Sequence, residues 1–322
     1  MRYLLIPALC LLLARPAVAQ HSATDSVSAD RFAAYTFAND AYFKTDYYFT
    51  QGMSGTAVLP VLRLLPGARL LRLPLGGVQH FGLRLTYDGF TPLRIQDPLI
   101  RVGDRPYAAY LYLDFFRAAT AAARRRRLTT ALSLGLIGPA AGARGFQTKL
   151  HALLGAPTPR GWGYQIRNDL VLGYAARWEQ RLWSAGRSVE LIGGGTAALS
   201  TLRTYAGAEA RLRVGLLNSY FADLGVASRA TRRGRRAQFY AEAWLDGRLI
   251  GYDAALQGGL LRRDNPYELP ARDLKRGVLR ATGTLGLGYA GLRLTASAVQ
   301  ISPEFRGARQ HRWAQLGLQV AF

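Results

Sequence analysis

Hydrophobic and polar residues alternate along most of this chain. Between residues 78 and 89, Phe81, Leu83, Leu85 and Tyr87 take every second position, with Gly82, Arg84 and Thr86 between them. A strand points successive side chains to opposite faces, so this stretch has one apolar and one polar face. Strand-like segments recur at 31–38, 47–59, 107–117, 128–137, 162–179, 189–199, 203–217, 238–250, 278–289, 292–301 and 313–322, which predicts 12 strands. The last one alternates strictly and ends on Phe322, similar to the signal that outer-membrane assembly machinery recognises. One segment departs from this period. Phe146, Leu150, Leu153 and Leu154 recur at helical spacing, and Gly155 with Pro157 ends the run. A short helix over 142–155 in an otherwise β chain reads as a loop covering a site.

No run of about 18 apolar residues follows residue 19, so no helix is predicted to cross a membrane. Strands can cross if they close, because a closed barrel pairs every backbone group within the lipid. An even number of strands with one apolar and one polar face fits that solution. The expected fold is an all-β transmembrane antiparallel β-barrel of about 12 strands, with a short helical loop at its outer rim. The rival is a soluble all-β periplasmic protein. The terminal aromatic strand and the arginines opposite an apolar stripe favour the barrel.

Composition adds the compartment. Met1-Arg2, an apolar run at 4–13 and Ala17-Val18-Ala19 read as a secretory signal peptide over 1–19, leaving 20–322 as the barrel domain. The single cysteine, Cys10, falls in that leader, which excludes disulfide and thiolate chemistry from the mature chain. The net charge of +22 is almost all arginine, since Lys44, Lys149 and Lys275 are the only lysines. Such a surplus suits a polar barrel interior, or an anionic partner such as a phosphorylated lipid. The run Arg124-Arg125-Arg126-Arg127 reads as a solvated turn, with contact to lipid phosphates as the alternative. The chain is read as exported and carries no nucleic-acid motif, so no nucleic-acid partner is expected.

Two stretches about a hundred residues apart carry candidate chemistry. Asn39-Asp40, followed by Thr45-Asp46-Tyr47-Tyr48-Phe49-Thr50-Gln51-Gly52, offers side-chain oxygens of the kind hard cations prefer. Its plain reading is a turn. Gln147 and His151 are four residues apart, so they share one face of the predicted helix. Of the four histidines, His21, His80, His151 and His311, only His151 lies on that insertion. Histidine is the usual general base near neutral pH, although a lone histidine is more often structural.

Taken in order, these motifs resemble the outer-membrane lipid A 3′-O-deacylase family (LpxR type). The likeness rests on Ala38-Asn39-Asp40 with Thr45 to Gly52, Asp104-Arg105-Pro106-Tyr107-Ala108, Gly138-Pro139, Gln147-x-x-x-His151, and Gly161-Trp162 with Gln165. Leu256-Gln257-Gly258 and Pro303-Glu304-Phe305 extend it towards the end of the chain. The resemblance implies an outer-membrane monomer that hydrolyses the ester of the 3′-linked acyloxyacyl group of lipid A with Ca²⁺. His151 would be the general base, supported by Gln147, Asn39 and Asp40. Asn39, Asp40 and Thr50 would hold the metal, and Arg105, Tyr107 and Lys149 would meet the substrate. The family pattern places a glutamate a few residues after the histidine. Here the next carboxylate is Asp169, the candidate replacement. Without the chemistry, the same chain reads as a narrow channel or structural barrel. A phospholipase acting on glycerolipids is a third reading.

Overall fold

The computed structural model describes residues 26–43, 45, 47–73, 75–222, 224–225 and 237–322. The expected leader at 1–19 lies outside the described residues, as do His21, Lys44 and Asp46. Twelve antiparallel strands form one ring. They are β1 Phe32–Asn39, β2 Tyr48–Val58, β3 Val78–Thr91, β4 Ala108–Ala121, β5 Arg126–Ile137 and β6 Asp169–Ala185. The second half comprises β7 Val189–Ser200, β8 Arg203–Leu216, β9 Gln238–Asp253, β10 Gly277–Tyr289, β11 Leu292–Ile301 and β12 His311–Ala321. Each pairs with its sequence neighbour, and β12 closes on β1 from Ala321↔Phe32 to Ala314↔Asn39. The segment Ser26–Val27 adds a short parallel pairing beside Val78 and Gln79.

The two faces separate as the alternation predicts. Arg84, Thr86 and Asp88 of β3 line the lumen with Tyr110, Tyr112 and Asp114 of β4. Leu85, Leu113, Leu134, Leu285 and Leu316 are exposed on the other side of the wall. Much of the arginine surplus is internal. Arg177 donates to Glu209 at 2.8 and 2.9 Å, Arg211 to Glu242 at 2.6 Å, and Arg213 to Glu190 at 2.8 Å. The basic run is only partly solvated. Arg126 bonds Gln180, and buried Arg127 donates to the Tyr220 carbonyl at 2.6 Å.

The expected strand over 162–179 begins at Asp169 instead. Gly161–Tyr164 forms a 3₁₀ helix because Trp162 packs inward on Tyr107, with ring centroids 4.8 Å apart, rather than joining a ladder. One rim carries the described N-terminal segment, Phe322, the tight turns at 122–125, 186–188 and 290–291 and the longer connections between β2 and β3 and between β8 and β9. The other carries 92–107, 138–168, 254–276 and 302–310. Membrane barrels place short turns in the periplasm and long loops outside, so the second rim is the outer one.

The outer loops are tied together by groups that stood out in sequence. Arg105, fully buried, donates from Nη1 to Glu304 Oε2 and lies 4.3 Å over the Phe90 ring. Tyr48, Leu256, Leu269, Leu274 and Phe305 form one apolar cluster beneath the same loops. Tyr267 donates to the Asp104 carbonyl at 2.8 Å and accepts from the Gly103 N–H at 2.8 Å.

Burial pushes the Glu304 carboxyl up, but nearby positive charge, Arg105 foremost, outweighs it and holds the group below the ordinary glutamate range. A carboxyl lowered on folding binds fewer protons folded than unfolded. Its stabilisation is full above the ordinary glutamate pKa and is lost as pH falls through the lowered value. Glu304→Gln leaves the Arg105 charge buried without its partner, which costs about 3–5 kcal/mol at neutral pH. Thermal unfolding of the detergent-solubilised protein on stepwise acidification is the check. The wild type loses stability more steeply in that window than the variant does. Equal slopes in the two proteins would overturn the assignment.

Candidate active site

The site begins with an irregularity in β2. Its pairing with β3 steps from Phe49↔Phe90 to Gln51↔Gly89, so Thr50 is an inserted residue, a β-bulge. Regular alternation would put Thr50 and Gln51 on opposite faces. Instead Phe49 stays inside, stacked on Trp313 at 4.6 Å, while Thr50 and Gln51 both reach partners on the outer surface of the wall. Gln51 donates to the hydroxyl of Tyr87 at 2.9 Å, and Tyr87 lies on the face of β3 opposite the lumen-lining Thr86 and Asp88.

Asn39, the last residue of β1, donates from Nδ2 to the Thr50 carbonyl at 2.9 Å, and its Oδ1 accepts from the Ala41 N–H at 2.8 Å. Asp40 is buried, and its Oδ2 accepts from the Tyr47 N–H at 3.2 Å. Its backbone carbonyl accepts from Phe43 N at 2.9 Å and Thr45 Oγ1 at 3.3 Å. Asp40 therefore ties Phe43, Thr45 and Tyr47 together after the end of β1.

The helical insertion is α1, Ala143–Leu154. Gly142 and Gly155 bound it with φ of 79° and 63°, left-handed conformations that glycine adopts without strain. Ala143, Gln147 and His151 form its buried face. Gln147 donates from Nε2 to Thr50 Oγ1 at 3.2 Å and accepts from Trp162 Nε1 at 2.7 Å. Phe146 lies beside Tyr87, with ring centroids 6.4 Å apart. The helix thus lies against the outside of the barrel near its outer rim, on the side where the strands present leucines.

His151 is nearly buried, with Nδ1 2.7 Å from the Pro157 carbonyl oxygen. A carbonyl oxygen only accepts, so Nδ1 carries the proton and Nε2 is the basic nitrogen. Gly155 turns the chain back so that residues 156–157 pass beside the ring, and the Ala156 N–H donates to the His151 carbonyl at 2.9 Å.

Thr50 therefore joins the two stretches that stood apart in sequence. Asn39, Thr50 and Gln147 form one hydrogen-bonded chain, with Asp40 adjacent to Asn39 and His151 one helical turn beyond Gln147. The three expected substrate contacts divide. Lys149 is exposed on α1. Arg105 is buried against Glu304, and Tyr107 is buried with its hydroxyl donating to the Ile95 carbonyl at 3.1 Å. Asp169 holds the 254–276 loop, its Oδ2 accepting from the N–H groups of Leu261 at 2.8 Å and Arg262 at 3.1 Å. Sequence reasoning missed Tyr87, the Pro157 carbonyl and the bond from Trp162 to Gln147. Trp162 was visible as a motif residue, but a backbone carbonyl leaves no trace in composition.

An antiparallel 12-stranded barrel with leucines outside, charges inside and a polar cluster under a helix on its outer flank is an integral outer-membrane protein. The family model described as outer membrane protein LpxR matches residues 5–322, and the chain belongs to that family. In fold it is similar to LpxR from Salmonella typhimurium, with a TM-score of 0.73 and 18% identity over 90% of this chain and 100% of that one. The β domain of the Bordetella autotransporter BrkA aligns over 92% of this chain and 100% of its own length, with a TM-score of 0.44 and 14% identity. A search of curated proteins by sequence finds no match.

Gln147→Ala leaves the Trp162 indole N–H buried without its acceptor, a loss of about 1–3 kcal/mol. Hydrogen exchange of the purified protein should then speed up across 143–154 while the strands keep their protection. Unchanged exchange in α1 would show that Gln147 does not hold the helix.

Proposed function

We propose that this protein hydrolyses the ester that links the 3′ acyloxyacyl group to lipid A, in a Ca²⁺-dependent reaction with His151 as general base. The observation that carries the reading is the place of the site. A histidine with one defined basic nitrogen sits with oxygen donors on the lipid side of the wall at the outer rim. A lipid of the outer leaflet meets that surface, whereas a solute passing through the lumen does not.

The donor chemistry fits a hard cation. Asp40 offers a carboxylate, Asn39 an amide oxygen and Thr50 carbonyl and hydroxyl oxygens, all of the type a hard cation takes, and each accepts a hydrogen bond within the chain that a bound ion would replace. Among the described residues no three His, Cys, Asp or Glu side chains converge into a metal cluster. A single carboxylate suits weak binding of calcium better than a tight structural ion. Asn39, Asp40 and Thr50 would hold the ion, which when bound supplies positive charge to the ester carbonyl oxygen.

The remaining steps belong to the chain. His151 Nε2 takes a proton from water as the water oxygen adds to the ester carbonyl. The tetrahedral adduct then collapses, the ester C–O bond breaks and the sugar oxygen leaves. The proton on His151 passes to that oxygen, which releases a free carboxylic acid and a 3′ hydroxyl. The Pro157 carbonyl keeps Nδ1 protonated and stabilises the imidazolium while it lasts. Gln147 and Asn39 hold the helix and the β1–β2 turn at a fixed separation. Lys149 meets the phosphorylated headgroup, while Arg105 and Tyr107 act indirectly by fixing the outer loops. The protein works as a monomer.

The second reading, a barrel without chemistry, is favoured by one observation: the carboxylate of Asp169, the candidate replacement for the family's glutamate, is committed to the 254–276 loop. Mass spectrometry of lipid A from cells expressing the protein decides between them. The wild type removes the 3′ acyloxyacyl group, and a calcium chelator suppresses this in purified protein. His151→Ala lowers the rate by about 10²- to 10⁴-fold. Full activity in that variant would sink the assignment. Intact lipid A with the wild type, together with ion conductance in planar bilayers, would establish the channel reading.

A further inference from the structure

The connection between β2 and β3, on the rim opposite the site, is not a simple turn. Pro60–Leu64 and Pro66–Arg69 are successive 3₁₀ helices. They and the residues after them fold back across the outer surface of β4, β5 and β6. Gly67 runs so close to the wall that an added Cβ would sit 3.3 Å from Leu132 and Phe115. The Leu71 carbonyl accepts from Thr130 Oγ1 at 2.7 Å, and the Leu70 carbonyl accepts from the Tyr174 hydroxyl at 3.2 Å. Arg117, buried on the lipid side of β4, donates to the carbonyls of Leu71, Leu73 and Leu75 at 3.4 Å each. A bare guanidinium there would face hydrocarbon, so this strap covers it.

Among the described residues, the strap's other face leaves its large apolar groups exposed. Leu64, Leu70 and Val61 are 71%, 66% and 60% exposed. Arg63, Arg69 and Arg72 are exposed among them and form no ion pair among the described residues. Residues 59–87 contain no aspartate or glutamate, so no acid close in sequence is available to neutralise them. Exposed leucines interleaved with arginines, lying flat on the lipid-facing side of a barrel near one rim, have the make-up of an interfacial membrane element. The rim carries the tight turns and is periplasmic, so the leaflet it meets is made of glycerophospholipid.

We propose that residues 60–73 form a membrane-interface strap that binds anionic glycerophospholipid of the periplasmic leaflet. Val61, Leu64 and Leu70 enter the acyl region, and Arg63, Arg69 and Arg72 bind headgroup phosphates. The barrel is thereby held in both leaflets, by α1 at the outer rim and by the strap at the inner one.

The test uses the full chain with Cys10→Ser, reconstituted in vesicles of phosphatidylcholine and phosphatidylglycerol. Bimane placed through Leu64→Cys and Leu70→Cys is expected to be quenched by nitroxide-bearing lipid and shielded from aqueous iodide. Spin-labelled phosphatidylglycerol is expected to be enriched several-fold over spin-labelled phosphatidylcholine around the protein. The triple variant Arg63→Gln, Arg69→Gln, Arg72→Gln loses that enrichment while keeping the heat-modifiable band of a folded barrel. Labels open to iodide, equal enrichment in the triple variant, or displacement of phosphatidylglycerol by added lipid A would each overturn the proposal. None of these readouts depends on hydrolysis, so the strap and the esterase reading fail separately.

Discussion

A membrane barrel has little freedom in its wall, because each backbone group left unpaired in lipid is costly. The one inserted residue in β2 is therefore an expensive irregularity, and the site depends on it. At Thr50 the ladder skips a position, and the strand turns two consecutive side chains to the same side. The Thr50 carbonyl is taken by Asn39 and its hydroxyl by Gln147. Without the bulge, one of Thr50 and Gln51 would face the lumen, and either the anchor of α1 or the bond to Tyr87 would be lost. The helix, the β1–β2 turn and the wall are thus set relative to one another by a single residue.

The outer rim shows why motif residues and reactive residues are not the same set. Arg105, Glu304, Leu256 and Phe305 are all motif residues, yet they hold loops together. Their separation in sequence is what makes them useful, since an ion pair from Arg105 to Glu304 joins the β3–β4 loop to the β11–β12 loop. The same holds for Asp169, which binds two backbone N–H groups of a loop more than 90 residues away.

The barrel was legible because its wall alternates along most of every strand, with register shifts only in β2, β6 and β9 among the described residues. Alternation gave all 12 strands, and helical spacing gave α1 to within a residue or two of its ends. The miss at 162–168 has a local cause: Trp162 and the flanking glycines look like a strand start, but the indole is drawn to Gln147 on α1. The pairing of Asn39 with Thr50 and Gln147 was only half legible. Helical spacing put Gln147 and His151 on one face. Nothing in the spacing indicated a bulge, because one extra residue shifts the register without changing composition. The partner of His151 was beyond reach for another reason, since any residue at 157 would offer the same carbonyl. The arginine surplus was legible only in outline: a polar interior was expected, and Arg177, Arg211 and Arg213 do pair with lumen carboxylates, but composition did not show that Arg63, Arg69 and Arg72 lie together on the strap.

The position of α1 on the outer flank of the wall has a consequence for how any ligand arrives. A site at the mouth of a pore samples solution and answers to molarity. A site on the flank samples the plane of the bilayer, where collisions are two-dimensional and the relevant concentration is molecules per unit area. Encounter then follows the lateral mobility of the surrounding lipid. Anything that stiffens the outer leaflet, such as tighter packing of its acyl chains, slows the supply while leaving the site itself untouched.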